Sequence, residues 1–302
     1  MLPIKDYIKD PRILLLSILR EYGGWIPDRH YLQMLFFLKM GKRLNLDNPQ
    51  TFSEKMQWLK LYNRKQEYTT MVDKLLVKNY VANIIGAEYI VPTLEVWKKP
   101  EKINFDNLPD QFVLKTTHGG GSCGTIVCKD KKCIDKDKVV KKLCIAMRQD
   151  IYNQYREWPY KNVMRQIIAE KYIENQKNSD MELIDYKFYC FNGEPKFCQV
   201  IRDRSTKETI DFFDMDWHHQ EFYGLNPIAR PAVVTPLKPI HFLEMQKIAH
   251  DLSQGLKFCR IDIYDTIEQP YFGEITLYPA SGLGTFTPSK YDKILGGMIK
   301  LH

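Results

Sequence analysis

The chain has 302 residues, of which 44% are hydrophobic and 27% charged, and these ordinary values exclude collagen-like, disordered and disulfide-scaffold classes. Its formal charge is +7, from 44 lysine plus arginine against 37 aspartate plus glutamate, which suits an anionic ligand or a membrane surface. Because both signs are well mixed along the chain, we expect no nucleic-acid partner.

Seven cysteines occur in the chain, an odd number, and no two of them have the C-x-x-C spacing of a zinc or redox pair. We therefore predict neither a cysteine metal centre nor a disulfide framework. Four of the seven lie in apolar, strand-like runs, where a free thiol behaves as a small hydrophobic side chain. This usage indicates reduced thiols and a cytoplasmic protein.

The first 60 residues are predicted to be helical, and no apolar run reaches the ~20 residues that span a bilayer. The longest early run, 13–19, lies between two arginines and has no small-residue cleavage site after it, so we expect no signal peptide. Residues 13–40 are nevertheless rich in apolar and aromatic side chains. We interpret them as two short helices that pack into a core. The alternative is a face that rests on the inner side of a membrane, where a lipid-linked substrate would be found.

Two helix starts are indicated by capping signals. Thr51 and Glu54 have the spacing of a capping box ahead of an amphipathic segment. Thr70 and Asp73 predict a second start, and apolar residues recur after them at helical spacing until Gly86, a natural helix stop.

Strand patterns dominate the rest of the chain and alternate with a few helices. Asn192-Gly193, between two apolar runs, is the strongest short hairpin signal. A helix near 245–252 is predicted to end at Gly255. Helices first, then strand pairs mixed with helices, favour an α+β fold in several lobes. The predicted strands are 89–91, 94–97, 111–115, 125–128, 167–173, 185–191, 195–202, 259–264 and 271–278.

A glycine-rich loop follows the predicted strand that carries Lys115. Glycines let a backbone approach a ligand closely and point successive N–H groups at anionic oxygens, and the lysine adds a full charge. The pattern is neither a Walker A loop, since the lysine precedes the glycines, nor a Rossmann turn, since a strand follows. A plain flexible hairpin is the alternative. The segment includes His118, Gly119, Gly120, Gly121 and Ser122.

Two acidic residues stand on the last two predicted strands. Residues i and i+2 of a strand share a face, so Arg260 and Asp262 point one way, and Glu274 and Thr276 likewise share a face. If the strands pair antiparallel, an Asp and a Glu converge beside an arginine. Paired carboxylates on a rigid sheet suit Mg²⁺, which nucleotide phosphates and waters usually complete. The alternative is two surface acids on a hairpin.

Three further motifs are weak when taken singly. Glu170-Lys171 ends an apolar strand, and Asp185 and Lys187 share one face of another. The segment 202–204, Arg-Asp-Arg, places two guanidinium groups at a strand end, an arrangement that suits recognition of carboxylate or phosphate. Ordinary strand exits and surface salt bridges are the alternatives.

The order of these motifs resembles that of the ATP-grasp superfamily: lysine, glycine loop, strand-end Glu-Lys pair, basic strand and terminal acid pair. Within it the chain is most similar to the TupA-like branch, in segments 48–55 (NPQTFSEK), 156–162 (REWPYKN) and 185–188 (DYKF). The resemblance runs from about residue 45 to the end. It implies two α+β lobes that clasp a nucleotide. The chain would then consist of a helical N-terminal extension (1–70), the first part of the core (71–105), a glycine-loop lobe or lid (106–168) and a C-terminal lobe with the metal acids (169–302).

The resemblance also implies roles for individual residues. Asp262 and Glu274 correspond to the magnesium ligands, and the hinge 170–173 corresponds to the segment whose backbone holds adenine. Thr276 stands where many members have Asn, and a hydroxyl is a poorer magnesium ligand than an amide oxygen. The number of magnesium ions, one or two, therefore stays open. The implied ATP-binding residues are Lys74, Lys115, His118, Gly119, Gly120, Gly121, Ser122, Glu170, Lys171, Tyr172, Ile173, Asp185 and Lys187.

The implied reaction is an ATP- and Mg²⁺-dependent carboxylate–amine ligation through an acylphosphate, with an amide as product. Arg260 is expected to steady the transferring phosphoryl group, and Arg202 or Arg204 to hold the acceptor carboxylate. A loop after Pro279 is expected to admit the amine. Its residues are Ser281, Gly282 and Gly284.

The TupA-like branch is associated with synthesis of bacterial cell-surface polysaccharide and teichuronopeptide. That association implies a uronic acid or polyglutamate carboxylate as acceptor, in a capsule-like polymer or its precursor, and an amine or amino acid as second substrate. Three rivals stay open. They are a glycosyltransferase that uses the D-x-D motif Asp214-Met215-Asp216, a non-catalytic nucleotide-binding module, and an ATP-dependent sugar kinase.

Overall fold

The computed structural model describes residues 10–119, 123–173, 183–203, 207–225 and 230–301. Helices come first, as predicted, followed by strands mixed with helices. The helices are α1 (Pro11–Tyr22), α2 (Asp28–Met40), α3 (Phe52–Tyr62), α4 (Glu67–Val72), α5 (Leu76–Ile85), α6 (Lys136–Met147), α7 (Ile151–Tyr155), α8 (Phe242–Ser253) and α9 (Lys290–Met298). The strands are β1 (Thr93–Trp97), β2 (Phe112–Thr116), β3 (Thr125–Cys128), β4 (Ile167–Lys171), β5 (Asp185–Phe191), β6 (Glu194–Arg202), β7 (Thr209–Phe213), β8 (Tyr223–Gly224), β9 (Phe258–Asp265), β10 (Pro270–Thr276) and β11 (Phe286–Thr287).

The capping signals locate α3 correctly and α5 only in part. Both hydrogen bonds of the Thr51–Glu54 capping box form at the start of α3. Helix α5 begins at Leu76 rather than near Thr70, because the chain leaves the helical region at Asp73, whose carboxylate instead accepts bonds from the first amides of α5. The helix stops at Gly86, whose φ of +110° a side chain would disfavour.

A four-stranded antiparallel sheet, in the order β1-β4-β2-β3, forms the smaller lobe. Its inner face packs against α6 through an apolar core that includes Phe112, Leu114 and Leu143. Successive side chains of β2 point to opposite faces of the sheet. Lys115 is therefore on the face away from this core and points toward the second sheet.

A five-stranded antiparallel sheet, in the order β10-β9-β5-β6-β7, forms the larger lobe. The predicted hairpin at Asn192-Gly193 joins β5 and β6, and both residues have positive φ, as the tightest hairpin turn requires. Helix α8 covers one face of the sheet, where Phe188 contacts Phe242 and the Cys190 thiol lies 3.7 Å from the Ala249 carbonyl. The other face is directed toward the smaller lobe.

The apolar N-terminal segment packs as two short helices, as we predicted, yet it keeps an exposed side. Leu32, Leu35 and Phe36 are fully buried. Residues of α1 and α2 also line a surface groove of about 340 Å³, at whose edge Trp25 is 83% exposed. In the part of the chain that the structure describes, every helix is too short or too polar to cross a bilayer. Contact of residues 13–40 with a membrane stays a prediction.

Arg156 fastens these N-terminal helices to the rest of the protein. Its side chain is fully buried and lies 3.8 Å above the ring of Tyr31 in α2. Its guanidinium donates to the Gly23 carbonyl at 2.8 Å and pairs with Asp28 at 3.1 Å. Removing such a buried charge is destabilising, because the carboxylate and the carbonyl groups that it contacts would then be left without a cationic partner or a hydrogen-bond donor.

We expect Arg156→Met to lower the free energy of unfolding by roughly 3 kcal/mol, since it leaves backbone carbonyls and part of the Asp28 charge unpaired in a buried place. Urea unfolding followed by circular dichroism measures the change. Arg12→Met is the matched control, since Arg12 makes an exposed pair with Asp10 and its loss should leave stability nearly unchanged. Equal losses in the two variants would contradict this anchoring role.

Candidate active site

A narrow crevice separates the two sheets. It contains charged side chains from both lobes, together with the backbone of the bulged strand β10. Beside it, and sharing Ile90 with it, is an open cavity of about 530 Å³. The crevice is lined by Lys74, Val77, Lys78, Ile90, Val91, Lys115, Glu170, Phe272 and Gly273.

The two acids predicted to converge do so beside this crevice, next to its lining residues Gly273 and Lys74. Strands β9 and β10 are antiparallel neighbours, and Glu274 lies directly opposite Asp262. A one-residue bulge at Gly273 sets this register, since the neighbouring pair is Phe272 with Ile263. In a regular strand without the bulge, Gly273 itself would pair with Asp262, Glu274 would fall opposite Ile261, and the Glu274 side chain would point to the apolar face.

Glycine is required at the bulge because the backbone of β9 is too close for a side chain. A Cβ placed on Gly273 would lie 2.9 Å from the carbonyl oxygen of Asp262 and 3.2 Å from the Tyr264 ring. The glycine therefore determines on which side of the sheet Glu274 appears.

Three cations surround the acid pair. Arg260 donates to Asp262 at 2.6 Å and to Glu274 at 3.0 Å, and it also reaches the Thr276 hydroxyl at 3.0 Å. Lys187 contacts Asp262, and the ammonium group of Lys74 lies 2.9 Å from the other oxygen of Glu274. Asp185, 3.7 Å from Lys187, completes the cluster.

The charges hold Glu274 ionised. Burial opposes ionisation, but Lys74, Arg260 and Lys187 outweigh it and keep the pKa of Glu274 well below its ordinary 4.5. Because this folded-state pKa is depressed, the ion pairs stabilise the fold above about pH 4.5, and that stabilisation is lost as the pH falls toward the lower pKa. Glu274 is therefore charged at neutral pH, whereas burial, opposed by Arg260 and Lys187, raises the pKa of its neighbour Asp262 above the ordinary 3.8.

A second charged group lies toward the smaller lobe. Glu170 is buried, and its two carboxylate oxygens accept from Lys78 at 2.5 Å and from Lys115 at 2.6 Å. Lys78 also donates to the Val91 carbonyl and the Thr93 hydroxyl, both at 2.8 Å. Sequence reasoning missed Lys78. The spacing of four residues from Lys74 would have signalled a shared face on the longer helix predicted from Thr70, although in the structure Lys74 lies in the turn before α5.

Both ends of the glycine loop lie close to the side chain of Thr116. A Cβ on either Gly119 or Gly124 would lie 2.2 Å from the Thr116 hydroxyl oxygen, so glycine is needed at both positions. Gly120, Gly121 and Ser122, which we predicted to contact phosphate, lie outside the described residues.

His118, at the base of this loop, is buried and has two unused ring nitrogens. Only 3% of the residue is exposed, and neither nitrogen makes a hydrogen bond of ordinary geometry within the described residues, although the Ala146 backbone is near. Burial, with help from Arg165 and Lys74, lowers the pKa of His118 to about 4. The ring is therefore neutral at physiological pH and has both a donor and an acceptor to offer.

The remaining predicted nucleotide residues lie around the open cavity or on the same sheet face as the acids. Lys171, Tyr172 and Ile173 line the cavity of about 530 Å³ together with Pro92 and Tyr271. Asp185 and Lys187 lie on the crevice face of β5, since Lys187 is directly opposite Asp262. The structure thus brings together the lysines, the hinge and the acids that the sequence motifs had separated.

Arg202 is not brought to this face. Gln199 lies opposite Lys187 on the crevice side, and three residues further along β6 the alternation directs Arg202 to the α8 side. There its guanidinium donates to the Val234 carbonyl at 2.8 Å and interacts with Tyr186. This placement does not support the predicted role of Arg202 in holding a substrate carboxylate. Arg204 lies outside the described residues.

The predicted amine loop follows β10 directly and has an unusual backbone. Ala280, Ser281 and Gly282 all have positive φ, between 46° and 62°, a conformation that costs free energy outside glycine. Two buried side chains of α3 hold it. Lys60 donates to the Ser281 carbonyl at 2.8 Å and to its hydroxyl at 2.9 Å, and Gln57 donates to the Gly282 carbonyl at 3.0 Å.

Sequence reasoning also missed the buried side chains that hold this loop. Glu157, buried within the REWPYKN segment, hydrogen-bonds Ser281 and interacts electrostatically with Lys60. Burial lowers the pKa of Lys60 to about 8, which Glu157 partly counteracts. Gly284 follows at a close contact, where a Cβ would lie 2.8 Å from the Leu225 side chain. The loop beside the acid pair is therefore held firmly by residues far away in sequence.

The D-x-D motif forms a separate turn after β7. Asp214, Asp216 and His218 bring ligand atoms within 4.8 Å of one another. The Asp214 carboxylate already accepts from the amides of Asp216 and His218, at 3.0 and 2.8 Å. These bonds explain the motif as a turn, and His218 is exposed on it.

Comparison with known proteins identifies the family. The model of the family described as TupA-like ATPgrasp matches residues 54–300, so the chain belongs to the TupA-like ATP-grasp family. This membership confirms the resemblance, and with the antiparallel sheets and helices it confirms the predicted α+β ATP-grasp fold. No curated protein matches the chain significantly.

The solved structures similar to the chain include several ligases. D-alanine-D-alanine ligase from Helicobacter pylori is 16% identical, with a TM-score of 0.45 over 76% of this chain and 63% of that one. The corresponding ligase from Bacillus anthracis, complexed with ATP, is 18% identical, with a TM-score of 0.40 over 76% and 63%. The ATP-grasp ligase PsnB with Mg and ADP is 11% identical, with a TM-score of 0.38 over 92% and 66%. The chain spans just under two thirds of each of these structures.

The buried imidazole leads to a pH-dependent prediction. The pKa of His118 is about 4 in the folded protein against an ordinary 6.5, so the unfolded chain binds more protons between these values. We expect the wild type to lose on the order of 1 to 2 kcal/mol of stability relative to His118→Gln as the pH falls from about 7 to 5. Urea unfolding of both proteins across this range measures the difference, and a constant difference would contradict the prediction.

Proposed function

We propose that the protein is an ATP- and Mg²⁺-dependent carboxylate–amine ligase. The observation that supports it best is the crevice between the sheets, where the paired acids Asp262 and Glu274 face lysines from both lobes. Membership of the TupA-like ATP-grasp family supports the same activity. The chemistry requires a triphosphate to be gripped, its charge to be neutralised and a carboxylate to be placed beside its last phosphorus atom.

The nucleotide would occupy the crevice and the adjoining cavity. ATP carries roughly four negative charges, and Lys74, Lys78 and Lys115 together with the loop amides would offset them in a partly dry site, where each contact is stronger than in water. The adenine would lie in the cavity against the backbone of 171–173. His118 is neutral, and among the described residues its ring nitrogens make no hydrogen bond of ordinary geometry, so it would supply one more hydrogen bond at the base of the loop.

The acid pair fits a magnesium ion by the chemistry of its donors. Asp262 and Glu274 present hard carboxylate oxygens on two paired strands, the kind of ligand that Mg²⁺ prefers. Thr276 is a weaker candidate, because its hydroxyl is engaged by Arg260 and lies 3.3 Å from Glu274. When bound, the ion would neutralise phosphate charge and help orient the transferring group.

In the proposed reaction an oxygen of the substrate carboxylate attacks the γ-phosphorus of ATP. The bond to the β-phosphate oxygen breaks, and ADP leaves. A substrate amine then attacks the carbonyl carbon of the acylphosphate, inorganic phosphate leaves, and the nitrogen loses a proton as the amide forms. Arg260 lies between the acids with its guanidinium toward the crevice, and we assign it the role of steadying the transferring phosphoryl group.

The amine would enter beside the loop at Ser281, Gly282 and Gly284. Lys60 and Glu157 would keep this loop in the geometry that accepts the amine, and they are positioning residues because neither is exposed. We propose a uronic acid or another carboxylate-bearing sugar of a bacterial surface polysaccharide as acceptor, on the strength of the family resemblance. The seven free cysteines support a cytoplasmic setting for this chemistry.

The proposal is tested first at the nucleotide site. Lys115→Ala and Glu274→Ala should each reduce magnesium-dependent ADP formation at least about a hundredfold, because each removes a charge that the transition state needs. Lys247→Ala is the control, since this exposed lysine forms a surface ion pair with Asp251 on α8. Circular dichroism checks that each variant is folded, and undiminished ADP formation by both site variants would refute the site assignment.

The reaction type is tested by its products. A screen crosses uronic acids with amines and amino acids and measures ADP release. Mass spectrometry of productive pairs should show a product whose mass is that of the two substrates less one water. A phosphorylated sugar, formed without the amine, would instead establish a kinase, and turnover of a UDP-sugar without ATP would establish a glycosyltransferase.

A further inference from the structure

We propose that Lys74 couples metal binding to nucleotide binding by occupying Glu274 until a triphosphate arrives. The inference rests on the proposed function and deepens it, because it concerns how the same site admits its two ligands. The observation that leads to it is that every acid around the crevice already has a cationic partner in the structure.

Lys74 is built into both halves of the site. Its amide donates to the Thr117 carbonyl at 3.0 Å, two residues beyond Lys115 on the strand that enters the glycine loop. Its ammonium group reaches across the crevice to Glu274 at 2.9 Å, and its side chain is only 15% exposed. A short rotation of this side chain would therefore exchange the carboxylate for a phosphate in the crevice.

Within the ion pairs of the described residues, the acid cluster has as many basic side chains as acidic ones. Lys74, Lys187 and Arg260 pair with Asp185, Asp262 and Glu274. A divalent cation that enters alone meets no net negative charge and has to displace an ammonium group from its partner. The displaced lysine would be left beside the metal ion without compensation, which is unfavourable in a partly buried place.

A triphosphate changes this balance. Lys78, Lys115 and Glu170 add only one net positive charge to the crevice, so ATP brings an excess of negative charge that attracts a divalent ion. The same phosphates give Lys74 a new partner and free one oxygen of Glu274 for the metal. Nucleotide and metal therefore bind with positive coupling, and Lys74 transmits it.

The experiment measures binding of Mn²⁺ alone, by electron paramagnetic resonance of the free ion, to the full-length protein without nucleotide. We expect Lys74→Met to bind Mn²⁺ at least about tenfold more tightly than the wild type, the size of an ordinary coupling between sites. Lys74→Arg should match the wild type because it keeps the charge. The double variant Lys74→Met with Glu274→Gln should also return to the wild-type affinity.

Controls separate the coupling from a change of fold or of overall charge. Lys247→Met removes an exposed lysine and should leave Mn²⁺ affinity unchanged. Thermal unfolding verifies that each protein is folded, and Lys74→Gln replaces Lys74→Met if the latter is not. Unchanged Mn²⁺ affinity in folded Lys74→Met, or equal tightening in Lys74→Arg, would overturn the proposal.

A second arm distinguishes this failure from failure of the proposed function. Binding of the non-hydrolysable analogue AMPPNP to the wild type is measured calorimetrically with Mg²⁺ and with EDTA. We expect binding in both conditions and tighter binding with Mg²⁺. No binding in either condition would refute the nucleotide site itself, whereas binding of AMPPNP together with unchanged Mn²⁺ affinity in the Lys74 variants would refute only the coupling.

Discussion

The site depends on one constraint, the register of β9 and β10. Side chains alternate between the two faces of a strand, so a slip of one residue sends a charged group into the apolar layer. The bulge at Gly273 uses one extra residue to place Glu274 opposite Asp262 while Phe272 and Ile275 stay in the core. The β9 backbone is so close at this position that only a glycine fits. This one residue therefore allows apolar side chains on one face of the sheet and the acids on the crevice face.

Charge compensation explains how so many ionised groups can lie close together in the crevice. Moving a charge out of water costs free energy. When one partner of a buried ion pair is removed, the desolvation cost of the remaining charge is no longer offset. Here each acid has a lysine or arginine within contact distance, and Arg260 bridges Asp262 and Glu274. Such an arrangement favours a site that stays folded without ligand and rearranges its pairs on binding. The alternative, an excess of one sign, would repel its own lobes in the absence of nucleotide.

Sequence patterns predicted the elements that depend on local chemistry. The capping box at Thr51, the hairpin at Asn192-Gly193 and the face shared by Arg260 and Asp262 follow from neighbours a few residues apart. What could not be predicted depends on packing between distant segments. The face of Arg202 is set by the register of β6 in the sheet, and Lys60 looks like an ordinary surface lysine of an amphipathic helix until the loop after β10 is laid against it. Lys78 lies between these cases, since its spacing from Lys74 was visible but its partner Glu170 was not.

The REWPYKN segment shows how one motif can support two separate parts of the fold. Arg156 and Glu157 are adjacent and both buried, yet they point to different places. Arg156 holds the N-terminal helices through Gly23 and Tyr31, whereas Glu157 supports Ser281 in the loop beside the acid pair. Arg156 itself has a positive φ of 55°, and this turn of the backbone directs the two side chains apart. Helices α1 and α2, which precede the matched family region, are thereby tied through two adjacent residues to the loop of Ser281 beside β10.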